Sequence, residues 1–290
     1  LNLLPGGPLA QFGLDSSITQ ADLDRLREQL GLNRPLYVQY LDWAWRLLQG
    51  DWGHSFRDGA PVLEVIARHL WATFLLMGSS TIIAVSIGAW IGIRSATHRG
   101  STFDYAATVG AMIALSIPTF WFGLVAIFFF SLELGWLPAG NMYTVGDQSF
   151  SDYAIHLIMP SIVLALVNVA IWSRYMRAST LDVMDQDYVR TARAKGLSER
   201  VVVLRHAFRN ALIPITTIVV LDFGALIGGA VITERIFGWQ AMGTLFINGL
   251  THTDVNLVMG FFLITGILVV VANILADLVY SALDPRIRVS

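Results

Sequence analysis

The chain has 290 residues, of which 55% are hydrophobic and 14% are charged. Soluble domains carry about 25% charged residues, so this composition predicts a membrane protein. The net charge of −2 excludes little, because the charges are unevenly distributed along the chain. Cysteine is absent, which excludes a disulfide framework, thiolate metal ligands and a cysteine nucleophile.

The first 69 residues are predicted to form two short helices rather than a span. Thr19 is a candidate N-cap with Asp22 three residues later, and Gly31 is a candidate stop signal. A second helix is predicted between Pro35 and Gly50, with tryptophans typical of a membrane interface. We expect both helices to cap the membrane domain. The opening stretch LNLLPGGP is typical of the end of a hydrophobic segment, so we expect further residues upstream.

Five segments are long and apolar enough to cross a bilayer, which takes about 20 residues of helix. They are 70–93, 106–132, 155–172, 212–232 and 257–280. Pro118 in the second and Pro160 in the third predict kinks, because proline removes one backbone hydrogen bond. The predicted fold class is therefore all-α, a polytopic membrane protein.

The basic residues predict how these spans are oriented. The connection 174–209 holds eight Lys and Arg residues, whereas 133–152 holds none and 233–255 holds only Arg235. Because basic connections stay in the cytoplasm, we expect a cytoplasmic C-terminus. The predicted organisation is an extracytoplasmic segment 1–69 followed by a transmembrane domain 70–290.

Motifs for catalysis or nucleotide binding are missing from the sequence. A P-loop needs Gly-Lys-Ser/Thr, but the single lysine, Lys195, lies between Ala194 and Gly196. The histidines form no HExxH or similar metal-ligand spacing, and no GxSxG elbow is present. We therefore expect neither an enzyme nor a metal site, and active transport would take its energy from another subunit.

The densest positive charge lies in the stretch DYVRTARAKGLSERVVVLRHAFRNALIP, residues 187–214. Asp187 at its start and basic residues toward Gly196 suit the dipole of a short helix. Ser198 is a candidate N-cap for a second helix that continues into the next span. This pattern predicts a helical hairpin with small residues at its tip. The alternative is that these charges serve only to orient the spans in the membrane.

These residues resemble the EAA loop of ABC importer permeases of the dipeptide/oligopeptide type. The strict motif, E-A-A-x-x-x-G, aligns with residues 190–196 and matches at Ala192 and Gly196, and Pro214 lies further from Gly196 than usual. LLPGGP, GGAVITERIFGWQAMG and the C-terminal DPRIR also resemble this family. The resemblance implies a type I permease fold with a sixth span upstream.

The resemblance also implies the partners and the coupling site. The partners would be a second permease subunit, two ATP-binding subunits that bind ATP and Mg²⁺, and an extracytoplasmic substrate-binding protein; membrane lipid surrounds the chain, and no nucleic acid is expected. The chain itself would bind no cofactor. Residues expected to contact the ATPase lie within the loop 174–213. They are Asp187, Tyr188, Arg190, Thr191, Ala192, Arg193, Ala194, Lys195, Gly196 and Leu197.

Polar residues within the spans are candidates for the translocation pathway. Asp222 lies in the fourth span, where a carboxylate normally faces a bundle interior or an aqueous path. A structural hydrogen bond to a neighbouring helix is an equal alternative. Asn168 in the third span is a second candidate. Surface solvation is the expectation for Glu234, Arg235 and Asp254, which flank the last outer loop.

Several transport functions fit this sequence. The first is a peptide importer permease in a bacterial cytoplasmic membrane. Nickel, glutathione and haem importers use the same type of permease, so their substrates remain alternatives. A secondary transporter would show matched broken helices in two halves, which this sequence lacks. An intramembrane enzyme would need paired catalytic groups, whereas Asp222 and Asp277 lie in separate spans at different depths.

Overall fold

The computed structural model describes residues 19–29, 31, 33–147, 149–226 and 230–283. The stretches LNLLPGGP and DPRIR lie outside these residues. The described residues form helices, with one isolated β-bridge between His54 and Pro61. The helices are α1 (Gln20–Gln29), α2 (Leu36–Leu48), α3 (Val62–Thr97), α4 (Thr102–Ser116), α5 (Thr119–Ala126), α6 (Phe150–Met184), α7 (Asp187–Ala194), α8 (Glu199–Val201), α9 (Phe208–Leu226), α10 (Val231–Ile236), α11 (Met242–Thr251) and α12 (Val255–Leu283). The all-α prediction is confirmed.

Two π-helical segments interrupt this order. Ile127–Glu133 extends α5, and Val202–Ala207 joins α8 to α9. At the start of the described chain, Thr19 and Asp22 form a capping box at the predicted N-cap. The Thr19 amide donates to the Asp22 carboxylate over 3.1 Å, and the Asp22 amide donates back to Thr19 Oγ1 over 3.3 Å. Gly31 follows α1 with a φ of +67°, as its predicted place at the helix end requires.

Three described helices, α3, α6 and α12, are each long and apolar enough to cross a membrane. A fourth span results if α4 and α5 are counted together, although they bend by 98° at the break before Thr119. Pro118 causes this break, and it is much sharper than the predicted kink because Ile117 and Pro118 both have extended backbone. Pro160, in contrast, lies inside the continuous helix α6.

The predicted boundaries differ from the helix ends at two places. Helix α3 begins at Val62, so the boundary placed at 69/70 falls inside it. Hydropathy marks only the apolar centre of a helix, and polar residues such as Glu64 and Arg68 continue it outside that centre. The segment 212–232 is covered by α9 up to Leu226, while Val231 begins the separate helix α10. Residues 227–229 between them lie outside the described residues.

The core of the described bundle lies where α3 packs against α6. A Cβ atom added at Gly92 of α3 would lie 2.5 Å from the Met176 Cβ and 2.6 Å from the Ser173 carbonyl oxygen of α6. Only glycine permits this backbone approach, because real Cβ atoms essentially never come so close. Met176 is fully buried at this approach, and Trp172 is fully buried one turn earlier in α6, next to Gly88. Helix α6 is thereby fixed along the length that leads to α7.

Candidate functional site

A short helical hairpin connects α6 to α9 and contains every residue of the predicted coupling site. Helix α6 ends at Met184, and the extended backbone of Gln186 redirects the chain into α7. Helix α7 carries Asp187 in its first turn and Arg193 in its last, which complements the helix dipole. Ser198 occupies the N-cap position of α8, as predicted, but its side chain makes no capping hydrogen bond. We call residues 187–202 the basic hairpin.

The basic hairpin has a small apolar core of its own. Val189 and Ala192 of α7 are buried against Val202, which begins the π-helical segment. Val183 and Met184 at the end of α6 pack beside them. Ala192 therefore faces inward, and its small side chain allows α7 to lie close to the second arm. Packing within the hairpin is therefore sufficient to explain why residue 192 is small.

An ion pair and a glycine close the tip of the hairpin. The Arg193 guanidinium donates to both carboxylate oxygens of Glu199, from Nε over 3.1 Å and from Nη2 over 2.8 Å. Hydrogen bonds from Arg193 lower the pKa of Glu199, and the same bonds raise the pKa of Arg193. Gly196 has a φ of +77°, and its amide donates to the Arg193 carbonyl over 2.9 Å. The predicted stop of α7 at Gly196 is confirmed.

The other predicted coupling residues form an exposed, positively charged surface. Tyr188, Thr191 and Lys195 lie three and four residues apart, so they share one face of the helical turn. Tyr188 accepts a 3.0 Å hydrogen bond from Asn210 of α9, which ties this face to the next helix. Arg190 makes only a long, solvated contact of 3.4 Å with Asp187. The exposed members of the predicted site are Asp187, Tyr188, Arg190, Thr191, Arg193, Ala194, Lys195, Gly196 and Leu197.

The predicted pathway residues lie on two adjacent helices. Asp222 of α9 accepts a 3.0 Å hydrogen bond from the indole Nε1 of Trp172 on α6. This is the interhelical hydrogen bond that we considered as the structural alternative. Asn168 is half-buried and precedes Trp172 by four residues, so both residues share one face of α6. Asp222 is also half-buried.

Comparison with known proteins identifies the family. Residues 84–289 match the model of the binding-protein-dependent transport system inner membrane component. The oligopeptide transport system permease protein AppB of Bacillus subtilis is 44% identical over 286 residues, which cover 98% of this chain and 90% of that protein. This chain belongs to that family of inner-membrane transport components. It is therefore a permease subunit, as the resemblance of its EAA-like loop implies.

Solved structures show the same fold at low sequence identity. A subunit of the MetNI methionine ABC transporter in an inward-facing conformation superimposes with a TM-score of 0.61 at 15% identity. The match covers 77% of the permease and 97% of that chain. A chain of an amino acid ABC transporter gives a TM-score of 0.51 at 16% identity, covering 76% and 93% of the two chains. The predicted ABC importer permease fold is confirmed.

An ion pair that we did not predict lies near the permease's basic hairpin. Arg177 of α6 donates from Nε to one oxygen of the buried Asp104 over 2.7 Å and from Nη2 to the other over 2.8 Å. Asp104 also accepts the Gly100 amide at the start of α4 over 3.0 Å. The pair therefore joins the first turn of α4 to α6, about two turns before α6 ends at Met184. No local sequence signal links residues 73 positions apart.

Two acidic residues that we expected at the solvated surface are buried, so that expectation was wrong for Glu234 and Asp254. Glu234 accepts the Thr244 amide over 2.6 Å and so caps the N-terminus of α11 from α10. Burial is the main cause that raises the pKa of Glu234. Asp254 caps α12 by accepting the Leu257 amide over 3.1 Å. Arg235 is exposed, as expected. Hydrogen-bond donors from folded helix ends, absent from a linear sequence, offset part of this burial, although Oε1 of Glu234 has no hydrogen-bond partner among the described residues.

The described residues contain no group of three or more His, Asp or Glu side chains placed to hold a metal ion.

Proposed function

We propose that this permease is one of two membrane subunits of an ATP-driven peptide importer. Together the two subunits would enclose the translocation pathway in a bacterial cytoplasmic membrane. The peptide assignment is supported by the 44% identity to an oligopeptide permease across 98% of the chain. In this proposal the segment before α3 lies outside the cell membrane and the C-terminus lies in the cytoplasm.

In this proposal the basic hairpin is the contact with an ATP-binding subunit. The observation that carries it is the division of the hairpin into two surfaces. Val189 and Ala192 hold α7 to its own second arm, whereas Tyr188, Thr191 and Lys195 face outward. This core, which Val183 and Met184 of α6 complete, lets α7 enter a partner's cleft without unfolding. The bidentate pair between Arg193 and Glu199 keeps the tip in one conformation.

The remaining partners follow from the same assignment. A second permease subunit completes the pathway, two ATP-binding subunits bind ATP and Mg²⁺, and an extracytoplasmic binding protein delivers the substrate. This chain hydrolyses no ATP and binds no cofactor. Asp222 and Asn168 line the pathway, with Trp172 holding one carboxylate oxygen of Asp222 in place.

Copurification and uptake test the assignment. The full natural chain is tagged, purified from its own membranes in mild detergent, and its partners are identified by mass spectrometry. We expect a second permease, P-loop ATPases and a binding protein. The binding protein is then tested with peptides, glutathione, nickel and haem. Recovery of the chain alone, active in vesicles without ATP, would contradict the importer; a binding protein specific for one of the other substrates would contradict only the peptide assignment.

The hairpin contact is tested at Gly196, which is exposed and has open space around its Cα atom. We expect Gly196→Trp to remain in the membrane but to lose ATPase binding and uptake, because the indole blocks close docking. Gly135→Trp is the matched control: Gly135 also has a positive φ, +62°, and open space, but it lies outside the hairpin. Equal losses in both variants would indicate backbone strain alone. Normal uptake by Gly196→Trp would refute the contact.

A further inference from the structure

Helix α2 presents a broad apolar surface that no part of the described chain covers. None of its residues is buried. Six large apolar side chains, each between 61% and 79% exposed, cover about 180° of its circumference at about 100° per residue. They are Leu36, Tyr37, Tyr40, Leu41, Trp45 and Leu48. We call these six residues the apolar face of α2. Exposing this continuous apolar surface to water would cost free energy, at about 25 cal/mol per Å² of apolar area.

The opposite side of α2 is polar. Gln39, Asp42 and Arg46 follow one another at intervals of three and four residues, so they form one narrow stripe. Asp42 is held there by an ion pair with Arg34, whose Nη1 lies 2.7 Å from the Asp42 carboxylate. The helix therefore has one apolar half and one polar stripe, which is the pattern of a helix lying at a boundary between lipid and water.

The segment after α2 is fixed where two spans begin. Asn256, in the first turn of α12, donates from its side chain to the His54 carbonyl over 3.0 Å. Asp254 accepts hydrogen bonds from the Ser55 hydroxyl over 2.6 Å and from the Phe56 amide over 2.9 Å. The bridge between His54 and Pro61 then leads directly into α3. These contacts hold the chain a few residues beyond α2 next to the first turns of α3 and α12, the helices that contain two of the spans.

From these observations we infer that α2 lies in the membrane interface, with its apolar face in lipid and its polar stripe toward water. The occupant of the apolar face is the bilayer surface, which is continuous with the lipid-facing sides of α3 and α12. Tyrosine and tryptophan on this face suit the headgroup level, where their rings are apolar and their polar groups remain hydrated. The inference rests on membership of a membrane-protein family and does not depend on the hairpin contact.

The cysteine-free sequence makes this inference directly testable. Single cysteines are introduced into the full natural chain, assembled with its partners in lipid vesicles, and spin-labelled for depth measurement. Leu41→Cys and Trp45→Cys probe the apolar face, whereas Gln39→Cys and Arg46→Cys probe the polar stripe. We expect labels at 41 and 45 to lie about 5–10 Å below the headgroup boundary. Labels at 39 and 46 should lie nearer water by about 10 Å, the diameter of the helix.

Two reference positions calibrate the measurement within the same protein. Val145 is 95% exposed in a loop and reports water, whereas Val270, exposed on the apolar span α12, reports lipid. The inference is overturned if the labels at 41 and 45 are as accessible to water as the label at 145. Shielding of both labels from lipid and from water alike would also overturn it, because a protein segment would then cover the face. All four positions on α2 are unburied, so the substitutions leave no cavity.

Discussion

Replacing Arg177 with alanine should destabilise the permease more than removing both members of its ion pair. The Asp104 side chain is only 6% exposed, so the single variant leaves a carboxylate buried without its guanidinium partner. Breaking a buried ion pair in this way costs about 3–5 kcal/mol. Because the Arg177 side chain is 31% exposed, water reaches one side of the pair, and we expect a cost of about 3 kcal/mol at the lower end of that range.

A double-mutant cycle measures this coupling. Arg177→Ala, Asp104→Asn and the double variant are compared by equilibrium unfolding in the same mild detergent. The asparagine introduced at position 104 can still accept the Gly100 amide but needs no positive partner, so the double variant should recover part of the stability. A coupling free energy below about 0.5 kcal/mol, within the error of additivity, would refute the claim that the pair fastens α4 to α6.

Two further predictions concern α3 packing and the polar contact within the membrane. Gly92→Ala should destabilise the fold by about 1–3 kcal/mol, because the new methyl group would overlap Met176 and the α6 backbone. Gly78→Ala on the same helix has no neighbour within 4 Å and should be neutral or stabilising in the same unfolding assay; equal effects would contradict the close approach. Asp222→Asn keeps an acceptor for Trp172 but removes the charge, so uptake should fall while stability changes little. Unchanged uptake in Asp222→Asn would exclude a role for the charge of Asp222. Trp172→Phe is the control, because it removes the hydrogen bond but keeps the charge.

The sequence predicts the basic hairpin well because its signals are local. Asp187 marks the start of α7, Gly196 marks its end, and Ser198 begins the second arm within a few residues. The resemblance to the EAA loop depends on the same short stretch. What the stretch does not reveal is the inward direction of Ala192, because that depends on Val202 across the turn. The side of a short helix that faces its partner is decided by tertiary packing.

The buried acidic residues show where sequence reasoning reaches its limit. Glu234 and Asp254 lie among polar neighbours in a predicted loop, and solvation is the simplest expectation for such residues. Their burial depends on amides exposed at the starts of α11 and α12, which attract carboxylates only once those helices have formed. The ion pair of Asp104 with Arg177 likewise depends on α4 folding back along α6. In each case the polar partner is created by the fold.

The attachments of the basic hairpin determine what a force applied to it can move. On one side, α7 follows α6, which Gly92 and Arg177 fasten to α3 and α4. On the other side, the Ser179 hydroxyl of α6 donates to the Ala211 carbonyl of α9 over 3.0 Å. This hydrogen bond joins the two helices that lead into and out of the hairpin. A displacement of α7 therefore cannot be absorbed by separating α6 from α9 without breaking these contacts. If an ATP-binding subunit moves α7, we expect these contacts to make the ends of α3, α4, α6 and α9 that lie next to the hairpin move together.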